Sequence, residues 1–290
     1  MLDHEFRENI LPTMVDWKRR GIPFALATLV EIDGSSPRPL GSQMVVASTG
    51  KSIGQISGGC CENAIRAEAI DALENETNKL LRFGKDSPFI DIQLPCGSGI
   101  TVKIDRFVPD YVIYELSENH SCRQSSTLLI SLNLNEDIRL LTQSTEPRDD
   151  DFSKQYNAPI KLFVAGKGPI VSALKQQASL LEMDWELCTE NGDFAEKIDQ
   201  WSCVITLYHD HEKEDAYLIP SLKTNAFYIG SLGSQKTHQQ RLFRLLDKGC
   251  DENDLKRIKG PVGIPIKSKS PPEIALSIMA EILQWRPQFQ

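Results

Sequence analysis

Apolar positions recur along this chain with two different rhythms, and the change of rhythm divides it. Over residues 3–20, Phe6, Ile10, Met14 and Trp17 fall at near-helical spacing and predict an amphipathic helix. Residues 23–32 and Gln43–Ala47 read as strands, separated by a glycine-, serine- and proline-rich loop over 33–41. A helix is expected from the Gly58-Gly59-Cys60 element to about Leu73, with Glu62, Arg66 and Glu68 on its polar side. Phe89–Leu94 and Ile100–Phe107 alternate as strands, and Thr127–Leu132 with Ile138–Thr142 suits a hairpin. Residues 144–158 are polar, carry an acidic run and predict a linker.

Beyond that stretch, strands and helices alternate. Lys161–Ala165, Trp185–Cys188, Cys203–Leu207 and Phe227–Ile229 read as strands; Ile170–Leu181, Lys213–Leu222, Lys236–Lys248 and Pro272–Gln284 read as helices. Short apolar strands between helices require a parallel sheet covered on both faces. The expected fold class is therefore α/β. An N-terminal α+β thiol-bearing domain (1–143) precedes a Rossmann-like, doubly wound parallel-sheet domain (159–290).

The chain has 290 residues, enough for two cores, and its 40% hydrophobic and 25% charged content is that of a soluble globular protein. A net charge of -8 argues against non-specific binding to nucleic acid or an anionic membrane. The polar start Met1-Leu2-Asp3-His4-Glu5 does not read as a signal peptide, and no apolar run approaches membrane length, so a cytoplasmic protein is expected. Seven scattered cysteines, an odd number, predict free thiols rather than a disulfide framework. No C-x-x-C pair occurs, so a structural zinc site is not expected.

Two of those thiols stand in glycine-rich settings: Ser57-Gly58-Gly59-Cys60-Cys61-Glu62 and Leu94-Pro95-Cys96-Gly97-Ser98-Gly99. Glycine lets a ligand approach the main chain closely, which a buried core cysteine does not require. Cys60 is expected at a helix start, where the dipole and free N–H groups favour thiolate. Such a sulfur could be a nucleophile, a persulfide carrier or a soft metal ligand; an inert cysteine at a tight turn is the plain alternative. Cys61 reads as a packing residue, and Cys122, Cys188, Cys203 and Cys250 as structural.

In the second half, Gly166-Lys167-Gly168-Pro169 lies between a strand and a helix, a setting that attracts anions, or else is a merely structural turn. Glu190 is the one carboxylate placed to meet a ribose, one position late for a nicotinamide dinucleotide. His209 and His211 follow a strand and could serve as acid/base groups or metal ligands, or only hold a loop. Gly230-Ser231-Leu232-Gly233-Ser234 makes a second candidate anion turn, with Ser234 as N-cap. Arg241 and Arg244, on the next helix, read as a solvated face.

Taken together, Gly34-Ser35-Ser36-Pro37-Arg38-Pro39, Ser57-Gly58-Gly59-Cys60 and Leu94-Pro95-Cys96-Gly97 resemble the amino-terminal signature of the xanthine dehydrogenase accessory protein family. The Gly166/Gly168 turn, His209-Asp210-His211, Tyr228–Ser234, Gly260-Pro261-Val262-Gly263 and Ser270–Ala275 extend the likeness over nearly the whole chain. The resemblance implies a non-catalytic chaperone for the pterin-dithiolene molybdenum cofactor (molybdopterin). It would protect the cofactor, support its sulfuration with a cysteine desulfurase and insert it into an apo-molybdenum hydroxylase of the xanthine dehydrogenase type. Family members are often dimeric, so the resemblance further implies a homodimer; the charge and hydropathy predict neither nucleic acid nor membrane as a partner.

Carried onto this sequence, Cys60 and Cys96 would face the cofactor and ligate its metal, with Ser57, Gly58 and Gly59 shaping the approach. Ser36 and Arg38 would line the same cleft; Gly166, Gly168, Gly230, Gly233 and Ser234 would form a ligand edge on the Rossmann side. Pro169 and Val171 depart from the family pattern, as does Thr189-Glu190-Asn191, and both changes weaken nucleotide binding there. The cofactor is therefore expected on the first domain or between domains, with NAD(P) not expected. An NAD(P)-dependent oxidoreductase and a thiol-dependent sulfurtransferase remain the alternatives.

Overall fold

The computed structural model describes residues 7–87, 99–189, 194–267 and 269–287. The chain forms two compact units, Met1–Ala158 and Pro159–Gln290.

In the first unit, α1 (Leu11–Arg19) starts later than the apolar spacing predicts. Pro12 explains this: proline is tolerated in the first turn of a helix but not further inside. Asn9 Oδ1 accepts from the Leu11 N–H at 3.1 Å and sets the chain for that turn. Strands β1 (Phe24–Asp33), β2 (Gln43–Ala47), β3 (Ser52–Gly54), β4 (Lys79–Gly84) and β5 (Gly99–Asp105) build an antiparallel sheet in the order β3-β2-β1-β5-β4. Helix α2 (Glu62–Glu74) covers one face, burying Ile65, Ala69 and Ala72 at spacings of four and three against Ala25, Ala27, Leu29 and Val102.

The other face receives α1, α3 (Asp110–Ser121) and a small sheet, β7-β6-β8, made of β6 (Ser126–Ser131), β7 (Arg139–Leu140) and β8 (Asp151–Tyr156). The stretch expected to be a linker is therefore not one. β8 pairs antiparallel with β6, and Phe152 and Tyr156 pack against the first core. Alternation hidden among polar neighbours produced that difference, because only one face of β8 needs to be apolar. On the same face of the large sheet, Lys103 donates to Asp105 in a pair almost fully withdrawn from water. Burial raises the Asp105 carboxyl from 3.8 to about 6 against the attraction of Lys103.

The second unit is a parallel sheet in the order β10-β9-β11-β12-β13, from β9 (Lys161–Ala165), β10 (Asp184–Leu187), β11 (Ser202–Thr206), β12 (Tyr228–Ser231) and β13 (Ile258–Lys259). Helices α4 (Pro169–Leu180) and α8 (Pro271–Gln284) pack on one face. Helices α5 (His211–Leu222), α6 (Gln235–Asp247) and the short α7 (Glu252–Leu255) complete the other. This is the expected doubly wound arrangement. Strand order reverses between β9 and β11, which makes the ends of those two strands the switch point where such sheets bind ligands.

Candidate functional site

The turn that carries Cys60 joins β3 to α2. Gly58 and Gly59 take φ of 77° and 113°, conformations that L side chains rarely adopt, and open space surrounds the position a Cβ would take at Gly59. Cys60 itself is exposed, whereas Cys61 is buried in the core beneath α2, the packing role expected of it.

What fixes the turn is Glu62, the first residue of α2. Its Oε1 accepts from the N–H groups of Ile56 at 3.1 Å and Ser57 at 2.8 Å. Its Oε2 accepts from Ser57 Oγ at 2.6 Å and from the Gly59 N–H at 2.8 Å. Ser57 Oγ in turn accepts from the Cys61 N–H at 2.8 Å. Burial opposes the charge on Glu62, yet hydrogen bonds from Ser57 and from the backbone outweigh it and hold the carboxyl below its ordinary value.

Two expectations are corrected here. Glu62 is not a solvated position on the polar side of a helix; it is the anchor of the cysteine turn. The helix starts at Glu62, two residues after Cys60, and the N–H groups of Ile56, Ser57 and Gly59 are directed at the Glu62 carboxylate.

The loop between β1 and β2 lies against this turn: the Cβ position of Gly58 is 3.4 Å from Pro37 Cγ. Ser36 Oγ accepts from the Arg38 N–H at 3.3 Å. The Arg38 guanidinium donates to both oxygens of Glu8, at 2.7 and 2.5 Å. That bidentate bond raises the arginine's pKa against burial, and the charge of Glu62 adds to the effect. Ser36, Arg38, Ser57, Gly58, Gly59 and Cys60 are thus on two loops in contact. Glu8 and Lys154, which no sequence motif marks, belong to the same neighbourhood through their charges on Arg38 and on each other. Cys96 lies outside the described residues, as does Glu190.

On the second unit, Gly168 caps α4 with φ 101° and faces open space. Gly166 does not: a Cβ there would stand 2.7 Å from Leu207 Cβ, so close packing against the end of β11 accounts for it. Pro169 at the first helical position removes one N–H donor from a turn expected to bind an anion. Gly230 is a packing glycine inside β12, where a Cβ would meet Val262 at 2.5 Å and Tyr228 at 2.8 Å. The Ser234 Oγ accepts from the Thr237 N–H at 3.1 Å, as expected of an N-cap.

Beneath the Gly233 turn, Arg241 is 1% exposed rather than solvated. It donates from Nε and Nη2 to Glu214 at 3.0 and 2.8 Å, and from Nη2 to the Leu232 carbonyl at 2.7 Å. Glu214 Oε1 also accepts from Ser231 Oγ at 2.6 Å, and its Oε2 from Arg244 at 2.8 Å. Arg244 and Lys248 both donate to Asp215. The buried cation under this turn, Arg241, is already engaged by the Glu214 carboxylate and the Leu232 carbonyl. Sequence reading could not find this, because an arginine's partner 27 positions away leaves no local signal.

Burial, then Arg241, pushes the His238 pKa down. His211 is exposed at the start of α5, its Nδ1 3.2 Å from Arg244 Nη1. Among the described residues no group of three or more His, Cys, Asp and Glu is arranged to hold a metal ion. Cys188 and Cys203 are buried, and burial raises the Cys188 thiol to about 12. Cys122 is exposed at the end of α3, contrary to the structural role expected of it. No described helix is long and apolar enough to cross a membrane.

Residues 17–84 match the XdhC and CoxI family, and residues 162–282 match the XdhC Rossmann domain. The chain is 31% identical to the molybdenum cofactor insertion chaperone PaoD of Escherichia coli (strain K12), covering 96% of this chain and 88% of that one. It is 26% identical to a probable xanthine dehydrogenase subunit of Bacillus subtilis (strain 168), over 90% of this chain and 92% of that one. Its fold matches a crystal structure of a xanthine dehydrogenase from Bacillus halodurans, with TM-score 0.76, 20% identity and 95% of each chain covered. With one family's domains in both halves and a relative aligned along nearly its whole length, the chain belongs to the XdhC and CoxI family, the xanthine dehydrogenase accessory type that its motifs resemble.

Proposed function

We propose that this protein is a chaperone that binds the molybdenum cofactor as cargo on the Cys60 turn and inserts it into a molybdenum hydroxylase of the xanthine dehydrogenase type. The carrying observation is an exposed thiol on a glycine turn that Glu62 clamps from beneath. A thiolate is a suitable ligand for a soft metal centre, and the open space at Gly59 lets a bulky pterin approach the backbone. The name of the Escherichia coli relative supports the same cargo. In the full reading Cys60 and Cys96 hold the metal between them. A cysteine desulfurase supplies sulfur as a persulfide, and a thiol reductant releases it as the sulfide that replaces one oxo ligand, lost as water. Two copies of the chain form the working unit. The chain's own contribution is binding, shielding and hand-over.

The second unit serves this reading as scaffold. Its switch-point turn lacks the N–H of residue 169, and the arginine beneath its Gly233 turn is already bound to Glu214. The exposed Cys60 also suits a sulfur carrier, which would bear a persulfide and turn over with a sulfur donor. Purification from a cofactor-producing host, followed by assays for molybdenum and for fluorescent oxidised pterin, separates the two. A chaperone co-purifies with both. Persulfide on Cys60, with neither molybdenum nor pterin and with cofactor supply confirmed, sinks the chaperone reading.

A further inference from the structure

Loop 34–42, between β1 and β2, touches two other elements. At Pro37 it meets the Cys60 turn; at Gly41 it meets the side chain of Lys154, which arrives from β8. Gly41 has φ 77°, and a Cβ there would lie 2.9 Å from Lys154 Cδ and 3.5 Å from Nζ. The absent side chain gives the lysine its course along the loop. Lys154 Nζ also lies 5.8 Å from the centroid of the Tyr156 ring. Lys154 and Arg38 thus meet at one loop, whose Pro37 touches the turn that carries Cys60.

Two cations placed together in a partly desolvated position repel, and an anion is needed to offset them. Burial, opposed by Glu8 and reinforced by Arg38, pushes the Lys154 pKa down. The carboxylate that binds Arg38 directly is Glu8, held through both oxygens yet 68% exposed as a side chain. Glu8 is the solvent-exposed member of this pair, so a better-matched anion can replace it at the arginine. The fork of Arg38 has donors to spare: its Nε is buried with no hydrogen-bond partner among the described residues. Glu62 acts on Arg38 through its charge but cannot bind it, because its two oxygens are engaged by the cysteine turn.

We propose that Arg38 and Lys154 form a phosphate site next to Cys60, and that Glu8 occupies it as an internal stand-in until a phosphate monoester displaces it. A phosphate dianion matches two cations where one carboxylate matches them incompletely, and its oxygens suit the planar guanidinium fork. The site rests on the chaperone reading for its biological ligand: the phosphate would be that of the pterin side chain, placing the metal end of the cargo at the thiol. Glu8 then works as a gate that leaves when cargo arrives.

The test is titration of the full chain with inorganic phosphate, followed by calorimetry at fixed ionic strength. Glu8→Gln, an exposed change, is expected to tighten binding about tenfold by removing the competitor. Lys154→Met, which keeps the apolar stem over Tyr156, and Arg38→Met are each expected to weaken it tenfold or more. Lys154→Arg is expected to retain it. Unchanged binding in Lys154→Met, or no gain in Glu8→Gln, overturns the site. The two readings fail separately. Phosphate binding that follows this pattern in a chain that acquires no pterin from a host with confirmed cofactor supply removes the chaperone reading alone, and a pterin-loaded chain indifferent to these substitutions removes the site alone.

Discussion

Glu62→Ala is expected to abolish cofactor retention as completely as removal of Cys60 itself, although Glu62 never touches the cargo. Its carboxylate receives three backbone N–H groups and the Ser57 hydroxyl, and these are the bonds that fold the glycine turn. Gly58 and Gly59 hold no shape of their own, since glycine gives up the most conformational freedom on folding. Without the anchor the turn samples many conformations, and the thiol loses its fixed aim. Hydrogen bonds to a charged group contribute about 1.5–3 kcal/mol each in favourable settings, and half-exposure here reduces that. An overall cost of about 2–4 kcal/mol is therefore expected for the first unit. Glu62→Gln should fail too, because its amide NH₂ would face N–H donors. Molybdenum and pterin content per chain, read beside the urea midpoint, checks both effects. Full retention of cofactor in Glu62→Ala would show that the turn is shaped by something else.

The largest stability effect is expected in the second unit. Glu214→Gln leaves Arg241 buried at 1% exposure with a neutral partner, and breaking a buried pair from one side costs about 3–5 kcal/mol. Glu214 also takes bonds from Ser231 and Arg244, so several elements loosen together: α5, α6 and the end of β12. Trp185, Trp201 and Trp285 all lie in this unit, which makes tryptophan fluorescence in urea a suitable readout. Glu214→Leu combined with Arg241→Met is expected to recover much of the loss, because a well-packed apolar pair often replaces a buried ion pair at little cost. A midpoint unchanged by Glu214→Gln would mean that Arg241 finds water or another partner. Cofactor content should stay near wild type in the double variant, since the second unit is scaffold in this account.

Much of this architecture is legible in the sequence because it follows local periodicity. Ala25, Ala27 and Leu29 alternate along β1, Ile65, Ala69 and Ala72 mark one face of α2, and short apolar strands between helices announce the parallel sheet. The glycine-flanked Cys60 and the loop of Ser36 and Arg38 also stand out, because glycine and proline are informative where the backbone must bend. What stays hidden depends on distant partners. Glu62 looks like any charge in the first turn of a helix until the chain folds the N–H groups of Ile56, Ser57 and Gly59 around it. Lys154 sits in a stretch whose acidic neighbours suggest a linker, although Phe152 and Tyr156 already repeat with the even spacing of a strand. Glu8 acquires meaning only once Arg38 arrives from 30 positions away. Conversely, the motif glycines of the second unit promise more than they deliver: Gly166 and Gly230 are required by packing against Leu207 and Val262.

The central claim is that the cargo rests on the Cys60 turn and not on the Rossmann-type turn. It is tested most directly by measuring molybdenum and oxidised pterin bound to three full-length proteins from one cofactor-producing host: wild type, Cys60→Ala and Lys167→Glu. The last reverses a charge on the exposed glycine turn before α4. The account predicts cofactor on wild type and Lys167→Glu, with at least a tenfold loss on Cys60→Ala. Full loading of Cys60→Ala together with loss from Lys167→Glu would contradict it.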